Sequence, residues 1–207
     1  MAHIKSFFNL RSESRYNFAS QHLQAAEYFA LKLSEIETTC PPSLDVFAPN
    51  EYRHQWCASI VFAALALDGN AYDLMTAADR NEEAPVRGRQ FRRSDHRKPL
   101  MDRYALLQQV GTGKALDLGQ GLAQEAKALL ILRDEIVHYK TEWMSAPAVS
   151  VKMESLLNGR FELSRYRTSE VFFPDRCVSA SSAMWATETA RSFMRTFAES
   201  TGWRANV

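Results

Sequence analysis

The chain predicts an all-α fold, a single-domain bundle of about five to six helices. Three observations carry this. Apolar residues recur at steps of three and four almost throughout the 207 residues. The interruptions fall on proline and glycine, the residues that stop helices. The only strand-like run, Val171-Phe172-Phe173, is too short to found a sheet.

Phe18, His22, Ala25, Phe29, Leu33 and Ile36 line one face of a first long helix, which Pro41-Pro42 ends. After a loop through Pro49-Asn50, a second begins near Glu51 and shows Trp56, Ile60, Ala63, Leu67, Ala71 and Leu74 in register. Its many alanines and Gly69 predict close approach of a neighbouring helix. Residues 79–98 are polar, contain Pro85 and Gly88, and read as an exposed loop. Pro99 suits the first turn of a third helix, which runs to about Gln109 and stops at Gly111-Thr112-Gly113. A fourth spans about Gln120 to Tyr139, with Leu122, Ala126, Leu129, Leu130, Arg133, Ile136 and Val137 in register. A short helix near Val151–Asn158 closes at Gly159, and an irregular segment, Phe161–Cys177, follows. The last helix, about Ser179 to Ser200, carries Ala183, Ala186, Ala190, Phe193 and Phe197 on one face.

Composition narrows the function classes. Hydrophobic residues are 46% and charged residues 24%, enough for one well-cored domain over residues 1–207. A formal net charge of +1 gives no global attraction to nucleic acid or membrane, so any such attraction must be local. No apolar run is long enough to span a bilayer, and the first residues do not read as a signal peptide. Three widely spaced cysteines suggest neither a disulfide framework nor a zinc site. The expectation is a cytoplasmic protein with no membrane, metal or cofactor.

One stretch carries chemistry: Leu132-Arg133-Asp134-Glu135-Ile136-Val137-His138-Tyr139-Lys140. Arg133 is permanently charged and its guanidinium forks onto phosphate oxygens; an imidazole such as His138 moves protons near neutral pH. Taken bare, the spacing is weak, because Arg15–His22 and Arg89–His96 come close to it. Only Arg133–His138 sits at the end of an apolar helix, with a polar residue after the arginine and branched apolar residues before the histidine.

In that context the stretch resembles the signature of the HEPN family, the higher-eukaryote and prokaryote nucleotide-binding helical domains. Ala58-Ser59-Ile60-Val61-Phe62-Ala63-Ala64-Leu65-Ala66-Leu67-Asp68 looks like the family's alanine-rich, acid-ended upstream helix, although relatives often carry Glu where this chain has Asp68. Val137-His138-Tyr139-Lys140-Thr141-Glu142-Trp143 resembles a common continuation of the motif, and Phe172-Phe173-Pro174-Asp175-Arg176-Cys177-Val178 is similar to the tail of uncharacterised bacterial members. The resemblance covers about residues 15–198. It implies a metal-independent endoribonuclease, a toxin or phage-defence effector, working as a homodimer whose two motifs face one cleft. It implies an antitoxin or regulatory protein as a further partner.

Residue by residue, His138 would exchange a proton with a ribose 2′-hydroxyl or the leaving oxygen. Arg133 would bind the scissile phosphate. Asp134, four residues before His138, would orient its ring. Tyr139 and Lys140 would support the site, and Asp68 would hold Arg133 if the second helix packs on the fourth. Arg133 and His138 lie about 140° apart on an ideal helix, so bringing both onto one phosphate favours a second protomer. The basic loop Arg87-Gly88-Arg89-Gln90-Phe91-Arg92-Arg93-Ser94-Asp95-His96-Arg97-Lys98 interleaves an aromatic with six cations, the composition of an RNA contact.

A plainer reading stays open. Arg133 and Asp134 can be surface ion-pair formers, and His138 can favour a helix C-terminus through the macrodipole alone. The chain would then be a non-catalytic HEPN-like module that binds RNA, nucleotide or a partner protein, or simply a structural dimer.

Overall fold

The computed structural model describes residues 18–43, 45–79, 91–138, 148–166 and 171–203. Among them are six α-helices: α1 (Phe18–Thr39), α2 (Asn50–Asp79), α3 (Leu100–Thr112), α4 (Gly121–Val137), α5 (Ala148–Leu157) and α6 (Ala180–Thr201). No strand occurs among the described residues, and Val171-Phe172-Phe173 leads into a short 3-10 turn at Asp175–Cys177, with Phe172 and Phe173 buried. The all-α reading therefore holds, and no described helix is long and apolar enough to cross a membrane.

α1 and α2 form an antiparallel hairpin. Ser59 Oγ donates to the Ala26 carbonyl at 3.0 Å, and a Cβ on Gly69 would stand 3.2 Å from the Ala19 backbone nitrogen. So close an approach admits only small residues at the seam. The buried face of α1 is consequently Ala19, Leu23, Ala26, Ala30 and Leu33. Leu33 of the predicted face is buried and Ile36 packs on the core, but over the first turns the buried stripe is turned by about one residue, or about 100°, from the predicted one. The bulkier Phe18, His22 and Phe29 are pushed to the flank, where Phe29 stacks on Phe62 with ring centroids 5.7 Å apart. On α2 the predicted face stands: Trp56, Ile60, Ala63, Leu67, Ala71 and Leu74 are all buried.

α6 lies parallel to α2. Trp56 Nε1 donates to Ser182 Oγ at 2.8 Å near both helix starts. Farther along, Tyr104 of α3 bridges them: its hydroxyl lies 2.9 Å from both the Leu67 carbonyl and Asn70 Oδ1, and its ring packs on Phe193 and Phe197. Ser179 opens α6 with a capping box, worth about 1 kcal/mol, and Gly202 closes it at φ 72°.

α4 packs on α2 and α6. Glu125, in its first turns, accepts from Trp185 Nε1 and pairs with Arg160. Glu135, near its end, pairs with Lys152 of α5 at 2.6 Å. Two residues from Lys152, Ser150 accepts from the Phe173 backbone N–H, and Asp175 pairs with Arg53 at the start of α2. The end of α4 and the starts of α2 and α6 therefore share one end of the bundle. Toward the second end lie the last turns of α2 and the end of α6, where Trp203 meets Leu107 and Gly111 of α3.

Candidate active site

α4 buries Leu129 and Leu132 completely and stops at His138, whose backbone N–H still reaches the Asp134 carbonyl at 2.9 Å. At His138 the backbone (φ −110°, ψ 21°) leaves the helix, so the imidazole projects from a terminus and is exposed. Arg133 lies beside the buried Leu132 and keeps 33% of its side chain exposed. The Glu135–Lys152 pair ties this last turn of α4 to α5.

Three sequence expectations change here. The Asp134 carboxylate does not orient the imidazole; it lies 3.2 Å from Arg133 Nε, inside ion-pair range but without hydrogen-bond alignment. Neighbouring residues on a helix do not face each other, so this contact is worth about 0–1 kcal/mol. Its only bond toward His138 is the backbone one. Asp68 does not hold Arg133 either: it accepts from Arg103 of α3, a guanidinium only 8% exposed. Carboxylates settle on the nearest desolvated cation, and α3 brings one closer than α4 does. Tyr139 and Lys140 lie outside the described residues.

The third change concerns the basic loop. Phe91 is 7% exposed and belongs to the core, so it offers no ring to a base. Arg92, Arg93, Arg97 and Lys98 are exposed around a 3-10 turn, Asp95–Arg97; Arg87 and Arg89 lie outside the described residues. Asp95 accepts from the Arg92 backbone N–H at 3.0 Å and pairs with Lys98 at 3.1 Å. The first of these, then the second, holds its carboxyl below the ordinary range. The aromatic beside these cations is Tyr72 of α2, whose ring meets His96 edge-on at 5.5 Å.

The structure therefore groups Arg133, Asp134 and His138 at one end of the bundle and the basic turn at the other. Sharing the motif's end is a pair that sequence reasoning missed. Arg53 and His54, both exposed, line a cleft of about 480 Å³ with Phe47, Asn50, Ser164 and Asp175. Adjacent residues on a helix carry no spacing signature, and the only signal available was their place just after Pro49-Asn50. His54 is exposed because it lies on the opposite side of α2 from Trp56 and Tyr52.

Among the described residues, no group of three or more His, Cys, Asp or Glu is placed to hold a metal ion. Comparison of the chain with protein-family models, curated proteins and solved structures finds no match.

Proposed function

We propose that this protein is a metal-independent endoribonuclease, acting as a homodimer, with Arg133 and His138 carrying the chemistry. The observation that supports it best is the state of His138: exposed, at a helix terminus, one and a half turns beyond an arginine that no other element of the described structure ties down. A catalytic imidazole needs solvent or substrate access, and a phosphate-binding guanidinium needs free donors.

In the proposed reaction His138 accepts the proton of a ribose 2′-hydroxyl. The freed oxygen attacks the adjacent phosphorus, and the bond to the 5′-oxygen breaks. That oxygen leaves with a proton supplied by an imidazolium, yielding a 2′,3′-cyclic phosphate and a 5′-hydroxyl. Arg133 offsets the charge that builds on the non-bridging oxygens. A single His138 does not serve both ends of the reaction at once, and five residues correspond to about 140° around an ideal helix. A second copy of the chain, presenting its own motif across the cleft, supplies what one lacks. Uncontrolled cutting of RNA harms a cell, so the reading includes an effector role in defence or toxicity and a neutralising or regulatory partner protein.

The Arg133–Asp134 contact favours one alternative. A carboxylate beside the guanidinium competes with phosphate, which suits a module that binds RNA, nucleotide or a protein with this helix end and does not cut. Incubating total RNA in EDTA with wild type and with His138→Ala, purified in parallel, tests the proposal. Cutting by wild type alone supports it; equal cutting by both removes His138 from the chemistry.

A further inference from the structure

We infer that the cleft between the last turns of α2 and the 91–98 turn is a binding site for single-stranded RNA, physically separate from the Arg133–His138 motif. It takes the ligand class from the proposed function, but its geometry and its test stand apart from cleavage.

The cleft measures about 500 Å³ and is lined by Tyr72, Thr76, Phe91, Arg93, His96 and Arg97. Charge is the first argument. Six of the eleven described arginines pair with a carboxylate: Arg53 with Asp175, Arg103 with Asp68, Arg133 with Asp134, Arg160 with Glu125, Arg165 with Glu162, and Arg191 with Glu27 and Glu188; of the other five, Arg176 and Arg195 stand apart and three cluster in this turn. Among the described residues no carboxylate pairs with Arg92, Arg93 or Arg97, although Asp95 lies within the same turn. Asp95 is taken up by Lys98 and a backbone N–H and is also stabilised by the nearby Arg92 charge, which leaves Arg93 and Arg97, the two arginines lining the cleft, for another anion. A chain of net charge +1 that gathers Arg92, Arg93, Arg97 and Lys98 around the single carboxylate of Asp95 has a local positive site, not a basic surface.

The second argument is the ring. Tyr72 is 54% exposed on α2 and lines the cleft with Arg93 and Arg97, and its contact with His96 is T-shaped, not stacked, so much of its ring is accessible beside the cations. Guanidiniums for the backbone next to an accessible aromatic ring for a base is how single strands are held. A duplex keeps its bases stacked and offers the ring nothing. An acidic peptide would use the charges but leave the tyrosine idle.

Position gives the site its meaning. Tyr72 is 19 residues beyond Arg53, about 28 Å along α2 from the end that carries His138. A nucleotide on Tyr72 is not the one cut by the same protomer. The site holds a distant part of a longer strand.

Fluorescence anisotropy with an oligouridine of about 16 nucleotides, in EDTA and on a His138→Ala background so that nothing is cut, tests this. Arg93→Ala/Arg97→Ala should weaken binding at least tenfold near 0.1 M salt and flatten log Kd against log salt by about 1.4, two single-strand phosphate contacts. Tyr72→Ala should weaken it about five- to hundredfold, and Tyr72→Phe, which keeps the ring, should stay near wild type. Unchanged affinity and salt slope in the double variant would overturn the site. So would equal affinity for Tyr72→Ala and wild type, or polyglutamate that binds as tightly as the oligouridine.

Discussion

The Asp68 carboxylate accepts a hydrogen bond from the nearly buried guanidinium of Arg103, joining α2 to α3. The acid that resemblance would attach to the arginine of the motif is thus spent on the scaffold. Asp68 is itself 52% exposed, so solvent screens part of the interaction. Asp68→Ala should nevertheless cost about 2 kcal/mol, because it strands a buried cation. Cleavage at temperatures where the variant is folded should remain near wild type. Thermal melts and cleavage rates on the same preparation check both halves; unchanged stability with lost cleavage would return Asp68 to the active site.

His138 makes the opposite prediction. It caps α4 through its backbone, and its exposed imidazole makes no side-chain hydrogen bond among the described residues. His138→Ala should shift stability by no more than about 0.5 kcal/mol. Cleavage should fall by about 10²–10⁴, the usual contribution of a general acid or base. Chemical denaturation and an RNA cleavage assay decide it, and a marked loss of stability would favour a structural duty.

Gly111 lies inside α3, where a Cβ would meet Trp203 Nε1 at 2.9 Å and the Thr201 carbonyl at 3.3 Å. The same indole donates to the Leu107 carbonyl. Gly111→Ala would gain about 1 kcal/mol in helix propensity and lose about 1–3 kcal/mol to overpacking. Overpacking should win, lowering Tm by a few degrees and altering Trp203 fluorescence; a raised Tm would contradict the packing described at this end.

Burial sets the alkaline limit. It pushes the Cys177 thiol up to about 12, pushes Tyr166 up to about 12, and raises Tyr52 and Tyr104. For each, the neutral form is preferred when folded, so its stabilisation is full below the unfolded value and is lost as pH climbs through the folded one. Stability should therefore decline from about pH 9 to 12. Iodoacetamide at pH 8 should spare Cys177 until the chain unfolds. Alkylation of native Cys177 at the rate of an exposed thiol would contradict its burial.

What could be read from the sequence followed how local its cause is. α2 and α6 were legible because their apolar stripes are long and regular, and Ser179 and Gly202 mark the ends of α6 by chemistry of their own. The buried face of α1 was not. Large aromatics drew the prediction to Phe18 and Phe29, but Gly69 and Ser59 on a different helix decide that small residues fill the seam. Phe91 misled for a similar reason: a basic neighbourhood suggests exposure, while burying its ring gains about 1.5–3 kcal/mol. Tyr72 was invisible because its role depends on a turn two dozen residues away. The choice of Arg103 over Arg133 as partner of Asp68 is purely tertiary. The Arg133–His138 motif itself needed only the end of an apolar helix, and that is where both residues lie.

The central claim is tested most directly by one comparison in EDTA: an RNA and its 2′-deoxy counterpart, each incubated with wild type and with His138→Ala. The prediction is that wild type cuts only the RNA, leaving 2′,3′-cyclic phosphate ends, and that His138→Ala slows this by at least about a hundredfold. Cutting of the 2′-deoxy strand, or a rate indifferent to His138, would contradict it.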